Sequence, residues 1–174
     1  GYVPGVRENG GQYTHAAIWL VMALMALKQK EEGWELLQMI NPVNRGSNAE
    51  TIAKYKVEPY VIAADVYFQS LHLGRGGWTW YTGSAGWMYQ LILGSFLGVQ
   101  QKGEQLHFDP STPAAWPSFN IRYRYMDTLY NIEIRTSGAG ENKITVRVDG
   151  KVSENAFLQL QNDGGEHTVE VAIA

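Results

Sequence analysis

The sequence predicts an α+β chain, with helices and long loops over residues 1–98 and strands over 99–174. The first observation behind this is the apolar run Ala16–Leu27, which is unbroken by glycine or proline and too short to span a bilayer as a helix. The second is the strict alternation of Ile121, Tyr123 and Tyr125 with Arg122 and Arg124, and of Ile144, Val146 and Val148 with Thr145 and Arg147. The third is Gly74–Trp87, which holds Trp78, Trp80 and Trp87 among five glycines. Glycine lets backbone approach closely, while tryptophan offers a flat apolar face with a polar edge. That mixture suits a loop lining a polar, ring-shaped ligand.

Residues 1–12 read as loop, with Arg7, Glu8, Asn9 and Gln12 clustered among four glycines and one proline. A helix is expected from Thr14, as N-cap, through Glu32; it is apolar on nearly every face, so burial on most sides inside a larger helical assembly follows. Gly33 should break it. Trp34–Ile40 reads as a second helix ending before Pro42, and Asn44–Ser47 as a turn. Asn48–Tyr55 suits a short helix capped by Ser47 or Asn48, with Glu50 and Lys54 at i,i+4. Pro59 holds Glu58 extended. Val61–Tyr67 fits either a helix or a buried strand. A helix from about Trp87, capped by Thr82 or Ser84, should run to Leu97 and stop at Gly98. Its start would present free N–H groups and a positive end beside Arg75, an anion site in principle.

Beyond Gly98, strands are expected at 106–108, 120–125, 128–134, 143–148, 156–160 and 167–173. Turns fall at 136–140, 149–151 and 162–165, which suggests an antiparallel sandwich. Pro110–Pro117 reads as a rigid strap with Trp116 pinned on a neighbour.

The 174 residues allow one ordinary domain or two small units. The formal charge of -3 gives no electrostatic reason to expect nucleic acid or an anionic membrane. With no cysteine, disulfides and thiolate metal sites are excluded. No paired histidine spacing or Asp-rich loop points to a metal, so none is expected. The opening Gly1-Tyr2-Val3-Pro4 suggests a piece of something longer.

Chemistry-bearing residues concentrate in the helical part. An anion could be held by His15, Thr82 and the Gly83 N–H, with Arg7 or Arg75 as a bidentate partner. Sugars could stack on Trp78, Trp80 or Tyr81, while Glu8, Glu58 and Asn9 take hydroxyl hydrogen bonds. Glycosyl transfer needs a general acid; Glu8, Glu58 and Asp65 are each conceivable. A hydrolase of the ordinary type needs two carboxylates, whereas a phosphorylase needs one because phosphate is the nucleophile.

Three stretches, Gly5–Ala17, Tyr55–Tyr60 and Gly74–Trp87, together resemble the C-terminal signatures of glycoside hydrolase family 94. That family holds cellobiose, cellodextrin and chitobiose phosphorylases and the C-terminal domain of cyclic β-1,2-glucan synthases. Gln12–Ala17 and Met39–Pro42 are most similar to the synthase branch. The resemblance implies that residues 1–98 are the last helices and active-site loops of an (α/α)₆ barrel, and 99–174 a β-sandwich-like unit. It implies phosphate binding by His15, Thr82 and Gly83, and sugar subsites lined by Glu8 and Glu58; Arg7, Trp78, Trp80 and Tyr81 join them as substrate-binding candidates.

The partners implied are β-glucan oligosaccharide and inorganic phosphate as co-substrate, with no other cofactor and with a homodimer conceivable. The family's general acid is an aspartate in a motif preceding the segment that begins at Gly1, and nothing here matches it. The resemblance therefore implies a fragment of an inverting phosphorylase-type enzyme, tied to β-1,2-glucan chain length, that does not turn over alone. It further implies a bacterial parent at the inner membrane with this domain cytoplasmic and the fragment itself soluble. The competing readings are a non-catalytic carbohydrate-binding module stacking sugars on Trp78 and Trp80, and a structural unit.

Overall fold

The computed structural model describes residues 1–80, 82–137 and 143–174, apart from the side chain of Thr82. The chain divides into two compact units, Gly1–Phe96 and Leu97–Ala174. Among the described residues no helix is long and apolar enough to cross a membrane.

In the first unit, the short strand β1 (Gln12–Tyr13) leads directly into α1 (Thr14–Ala26). The expected cap, Thr14, is instead the first helical residue, and Tyr13 stands at the cap position with no side-chain cap. Tertiary pairing supplies what a cap would: the Thr14 N–H donates to the Ala64 carbonyl at 3.0 Å. Only one stripe of α1 is buried, Thr14, Ile18, Val21 and Met25, while Trp19, Leu20 and Leu27 are exposed. The expectation of burial on most sides is therefore not met within this chain.

The helix ends at Ala26, six residues before its expected end, and Lys28 beyond the cap takes the left-handed region at φ 62°. The Gln29 N–H reaches Leu24 O and the Lys28 N–H reaches Met25 O, both at 3.0 Å, closing a Schellman turn. Lys28→Gly should therefore stabilise the unit by about 0.5–1 kcal/mol, because relief of left-handed strain exceeds the entropy cost of glycine. A rise in midpoint on chemical denaturation with unchanged slope would show it, and a fall would refute it.

The second helix, α2 (Lys30–Ile40), begins earlier than expected and contains Gly33 rather than being broken off by it. A Cβ on Gly33 would lie 3.2 Å from Met25 Cγ, so glycine lets α2 pack closely on α1. Trp34 stacks on Phe96 at 5.1 Å. One helical turn, α3 (Pro42–Arg45), is capped by Asn41 Oδ1, which accepts from the Val43 N–H at 3.1 Å. The next helix, α4 (Ala49–Tyr55), takes Asn48 rather than Ser47 as cap, in a reciprocal capping box with Thr51. Val61–Tyr67 is neither a helix nor a full strand; only β2 (Asp65–Val66) is extended in a ladder. α5 (Thr82–Gln90) starts well before Trp87, so the expected caps Thr82 and Ser84 are both helical. It continues as a π-helical segment, Leu91–Phe96, and Gly98 follows at φ 66°, as expected of a C′ residue.

The second unit opens with a hairpin, β3 (Val99–Lys102) and β4 (Gln105–Phe108), that joins β9 (Phe157–Gln159) in a three-stranded sheet. The larger sheet has the order β5 (Ser118–Tyr125), β6 (Thr128–Thr136), β10 (Glu166–Ile173), β7 (Ile144–Val148), β8 (Lys151–Val152). Leu106, Phe108, Leu158 and Leu160 from the small sheet and its edge cluster with Tyr130, Ile132, Ile134, Val146, Val169 and Val171 from the large one. One pairing departs from the antiparallel expectation: β10 runs parallel to β6, with Val169 opposite Ile132. Between them in sequence lie β7, β8 and β9 (Phe157–Gln159), a connection of the length that a parallel pair requires. The turn expected at 136–140 lies, from residue 138 onward, outside the described residues.

At one end of the large sheet, His167 Nδ1 lies 2.7 Å from Asp149 Oδ2 and His167 Nε2 lies 3.0 Å from Asp163 Oδ2. The hydrogen bond to Asp149, more than that to Asp163, raises the His167 pKa above its ordinary 6.5. Asp149 is lowered below 3.8, chiefly by His167 and then by the Thr168 N–H. Asp163 is lowered chiefly by the Gly165 N–H, with His167 contributing. The raised histidine stabilises the fold fully below pH 6.5 and loses that contribution as pH rises through its folded pKa. The lowered aspartates contribute above pH 3.8 and lose it as pH falls through theirs. Wild type should therefore exceed His167→Gln in stability most between about pH 4 and 6.5. Thermal melts across pH 2–9 test this, and a difference that does not vary with pH would contradict it.

Candidate functional site

The site-bearing loops of the first unit are laced together by backbone. β1 pairs antiparallel with β2, placing Tyr13 opposite Asp65, and Val66 bridges to Gly76. Ala64 N–H donates to Trp78 O at 2.6 Å, Tyr67 N–H to Arg75 O at 2.9 Å, and Phe68 N–H to Gly5 O at 2.8 Å. Three sequence-distant stretches, 5–13, 64–68 and 74–78, thereby form one ribbon.

Asp65 sits at its centre, 1% exposed, and its Oδ2 accepts the Arg7 N–H at 2.8 Å. Arg7 occupies the left-handed region at φ 47°, so this contact holds a conformation that is unfavourable for arginine. A Cβ on Gly77 would collide with Asp65 Oδ1, so glycine at 77 is set by close approach to this carboxylate. Asp65, one of the conceivable acids, is thus committed to holding backbone.

The ribbon displays the sugar-binding candidates. The Arg7 guanidinium lies 5.0 Å from the centre of the Tyr2 ring, and Glu8 beside it is exposed. Trp78 and Trp80 are 66% and 72% exposed, and Trp80 holds φ 60°. Strain of this kind in a bulky residue concentrates at ligand sites. Glu58 is exposed on the turn after α4, whose Pro59 packs against Gly46, outside the ribbon's hydrogen bonds among the described residues. Tyr81 and the Thr82 side chain lie outside the described residues.

Of the anion candidates, His15 stands in the first turn of α1 among three rings: Trp19 at 4.6 Å, Trp87 at 5.7 Å and Tyr13 at 6.0 Å. Its Nε2 is buried without a hydrogen-bond partner among the described residues. Gly83 lies in the first turn of α5 with open space where a Cβ would stand. Trp87, one turn further along α5, also meets Trp19 edge-on at 5.6 Å. Two features escaped the sequence reading. One is the Trp19–His15–Trp87 cluster, for which the i,i+4 spacing of His15 and Trp19 was the available signal. The other is Ser84, buried rather than capping.

Residues 1–98 match the glycosyl hydrolase 94 superfamily, catalytic domain. The chain belongs to this family. Residues 99–155 match the glycosyl hydrolase family 65, C-terminal domain.

The cyclic beta-(1,2)-glucan synthase NdvB of Rhizobium meliloti (strain 1021) is 46% identical over 89% of this glycosyl hydrolase 94 chain and 5% of its own length. The N,N'-diacetylchitobiose phosphorylase of Vibrio furnissii is 28% identical over 97% of the chain and 21% of its own length. The 1,2-beta-oligoglucan phosphorylase of Listeria innocua serovar 6a is 28% identical over 86% of the chain and 15% of its own length. The chain thus spans about a fifth or less of these relatives.

Proposed function

We propose that this chain supplies the phosphate- and sugar-binding part of an inverting glycoside phosphorylase-type domain acting on β-glucan, in a protein that controls β-1,2-glucan chain length. Phosphate would be held by His15, Thr82 and the Gly83 N–H, and glucosyl units by Glu8, Glu58, Arg7, Trp78, Trp80 and Tyr81. Phosphate attacks the anomeric carbon while an aspartate supplied by a preceding segment protonates the leaving glycosidic oxygen. Residues 1–98 would be the last helices of an (α/α)₆ barrel and 99–174 a sandwich-like unit.

The observation that carries this reading is His15 Nε2, buried and without a hydrogen-bond partner among the described residues, on a ring 5.7 Å from that of Trp87 in α5. His15 stands in the first turn of α1, a helix start that favours an anion. The exposed Trp19 and Leu20 on α1, and Leu27 just after it, support a chain that sits within a larger helical assembly.

Calorimetric titration of the chain with β-1,2-glucooligosaccharide, with and without phosphate, tests it. Binding strengthened by phosphate, with that dependence lost in His15→Ala, is the expected result. Sugar binding indifferent to phosphate would favour a carbohydrate-binding module, which the exposure of Trp78 and Trp80 also suits. Phosphorolysis by the 174-residue chain alone would overturn the proposal that the acid lies elsewhere.

A further inference from the structure

We propose that the Ser84 hydroxyl is a further contact to the anion held between α1 and α5, paired across the seam with His15 Nε2; this rests on the phosphate reading above. In the unit Gly1–Phe96, these two atoms are the buried side-chain polar atoms without a hydrogen-bond partner among the described residues. Ser84 is 4% exposed. A buried hydroxyl that bonds nothing is penalised relative to alanine, and native structures carry few of them without a reason.

The helix gives Ser84 no structural use for its oxygen. As the third residue of α5 it could bond back to the start of the helix, as in a capping box, yet Oγ has no partner. It opens the buried stripe that continues through Met88 and Leu91, on the face packed against α1. Helical side chains lean toward the N-terminus of their helix, so Ser84 leans to the first turn of α5, where Gly83 leaves open space. Trp87, at i+3 on α5, touches the His15 ring at 5.7 Å, which brings the two orphaned atoms to the same seam. One offers a hydroxyl and the other an imidazole nitrogen, and both stand in the first turns of their helices, where the backbone dipole favours negative charge. An oxyanion bound over Gly83 satisfies both.

The test is titration of the full chain with inorganic phosphate at constant ionic strength, read by calorimetry, for wild type, Ser84→Ala, Ser84→Cys and His15→Ala, with melting of each unliganded chain. Ser84→Ala should weaken phosphate binding about tenfold, the size of one hydrogen bond to a charged group, with its unliganded melting point unchanged or higher. Ser84→Cys, which keeps the side chain's connectivity with a larger atom and offers only a weak donor, should lose a similar factor. Unchanged phosphate affinity in Ser84→Ala overturns the inference, as does a lower unliganded melting point, which would assign the hydroxyl a structural partner. If His15→Ala loses phosphate while Ser84→Ala keeps it, the inference fails and the phosphate reading stands. If wild type shows no phosphate binding, both fail.

Discussion

Asp65→Ala should lower the stability of the unit Gly1–Phe96 by about 2–4 kcal/mol, the sum of an unpaired amide and a small cavity. The carboxylate is buried and its Oδ2 is the acceptor for the Arg7 N–H. Removing it leaves that N–H without its acceptor at a residue whose left-handed conformation, φ 47°, is unfavourable for arginine. The loss should spread along the ribbon, because the Asp65 backbone pairs with Tyr13 and accepts from Gly77. Asp65→Asn keeps an acceptor of the same shape and should cost about 1 kcal/mol. Denaturant unfolding of the three proteins decides it. An Asp65→Ala variant within about 0.5 kcal/mol of wild type would mean that the ribbon holds without its carboxylate. Sugar binding by Asp65→Ala should fall as well, since the ribbon carries Arg7, Glu8 and Trp78.

Thr128→Val should destabilise the second unit by about 2–4 kcal/mol, although it changes neither shape nor size appreciably. Thr128 is fully buried at the start of β6. Its Oγ1 accepts the Asp163 N–H at 2.8 Å and the Gly164 N–H at 2.9 Å, and donates to Asp163 Oδ1 at 3.1 Å. Valine would leave two amides of the 162–165 turn unpaired next to a carboxylate. That turn delivers β10 to its parallel place beside β6, and it carries Asp163 to His167. Thr128→Ser retains the hydroxyl and should lose about 1 kcal/mol or less, for one methyl group. Thermal unfolding separates the two substitutions. Equal losses for valine and serine would show that packing, and not the hydroxyl, is what matters at this position.

The mixed helix-then-strand character, the alternation along β5 and β7, the Asn48 cap and the stop at Gly98 were all legible in the chain, because each depends on residues within a few positions of one another. The family was legible too, since its motifs are local strings. Much of what the local reading misjudged was decided by neighbours that a pattern of a few residues does not contain. Thr14 and Ser84 look like caps, but the Ala64 carbonyl serves the first and a helix starting at Thr82 swallows the second. Gly33 looks like a breaker, but Met25 needs the space of its missing side chain.

Antiparallel pairing is the natural expectation from short strands and tight turns, yet the return through β7–β9 brings β10 parallel to β6. Asp65 shows the same limit at the candidate site. Its sequence neighbours leave it open as an acid; only the folded ribbon, by placing the Arg7 amide on its oxygen and Gly77 against it, makes it the residue that holds the loops in place. The residue types that could bind sugar and phosphate were written in the chain. Which of them meet, and which buried atoms are left wanting a partner, depended on contacts spanning tens of residues that no local pattern encodes.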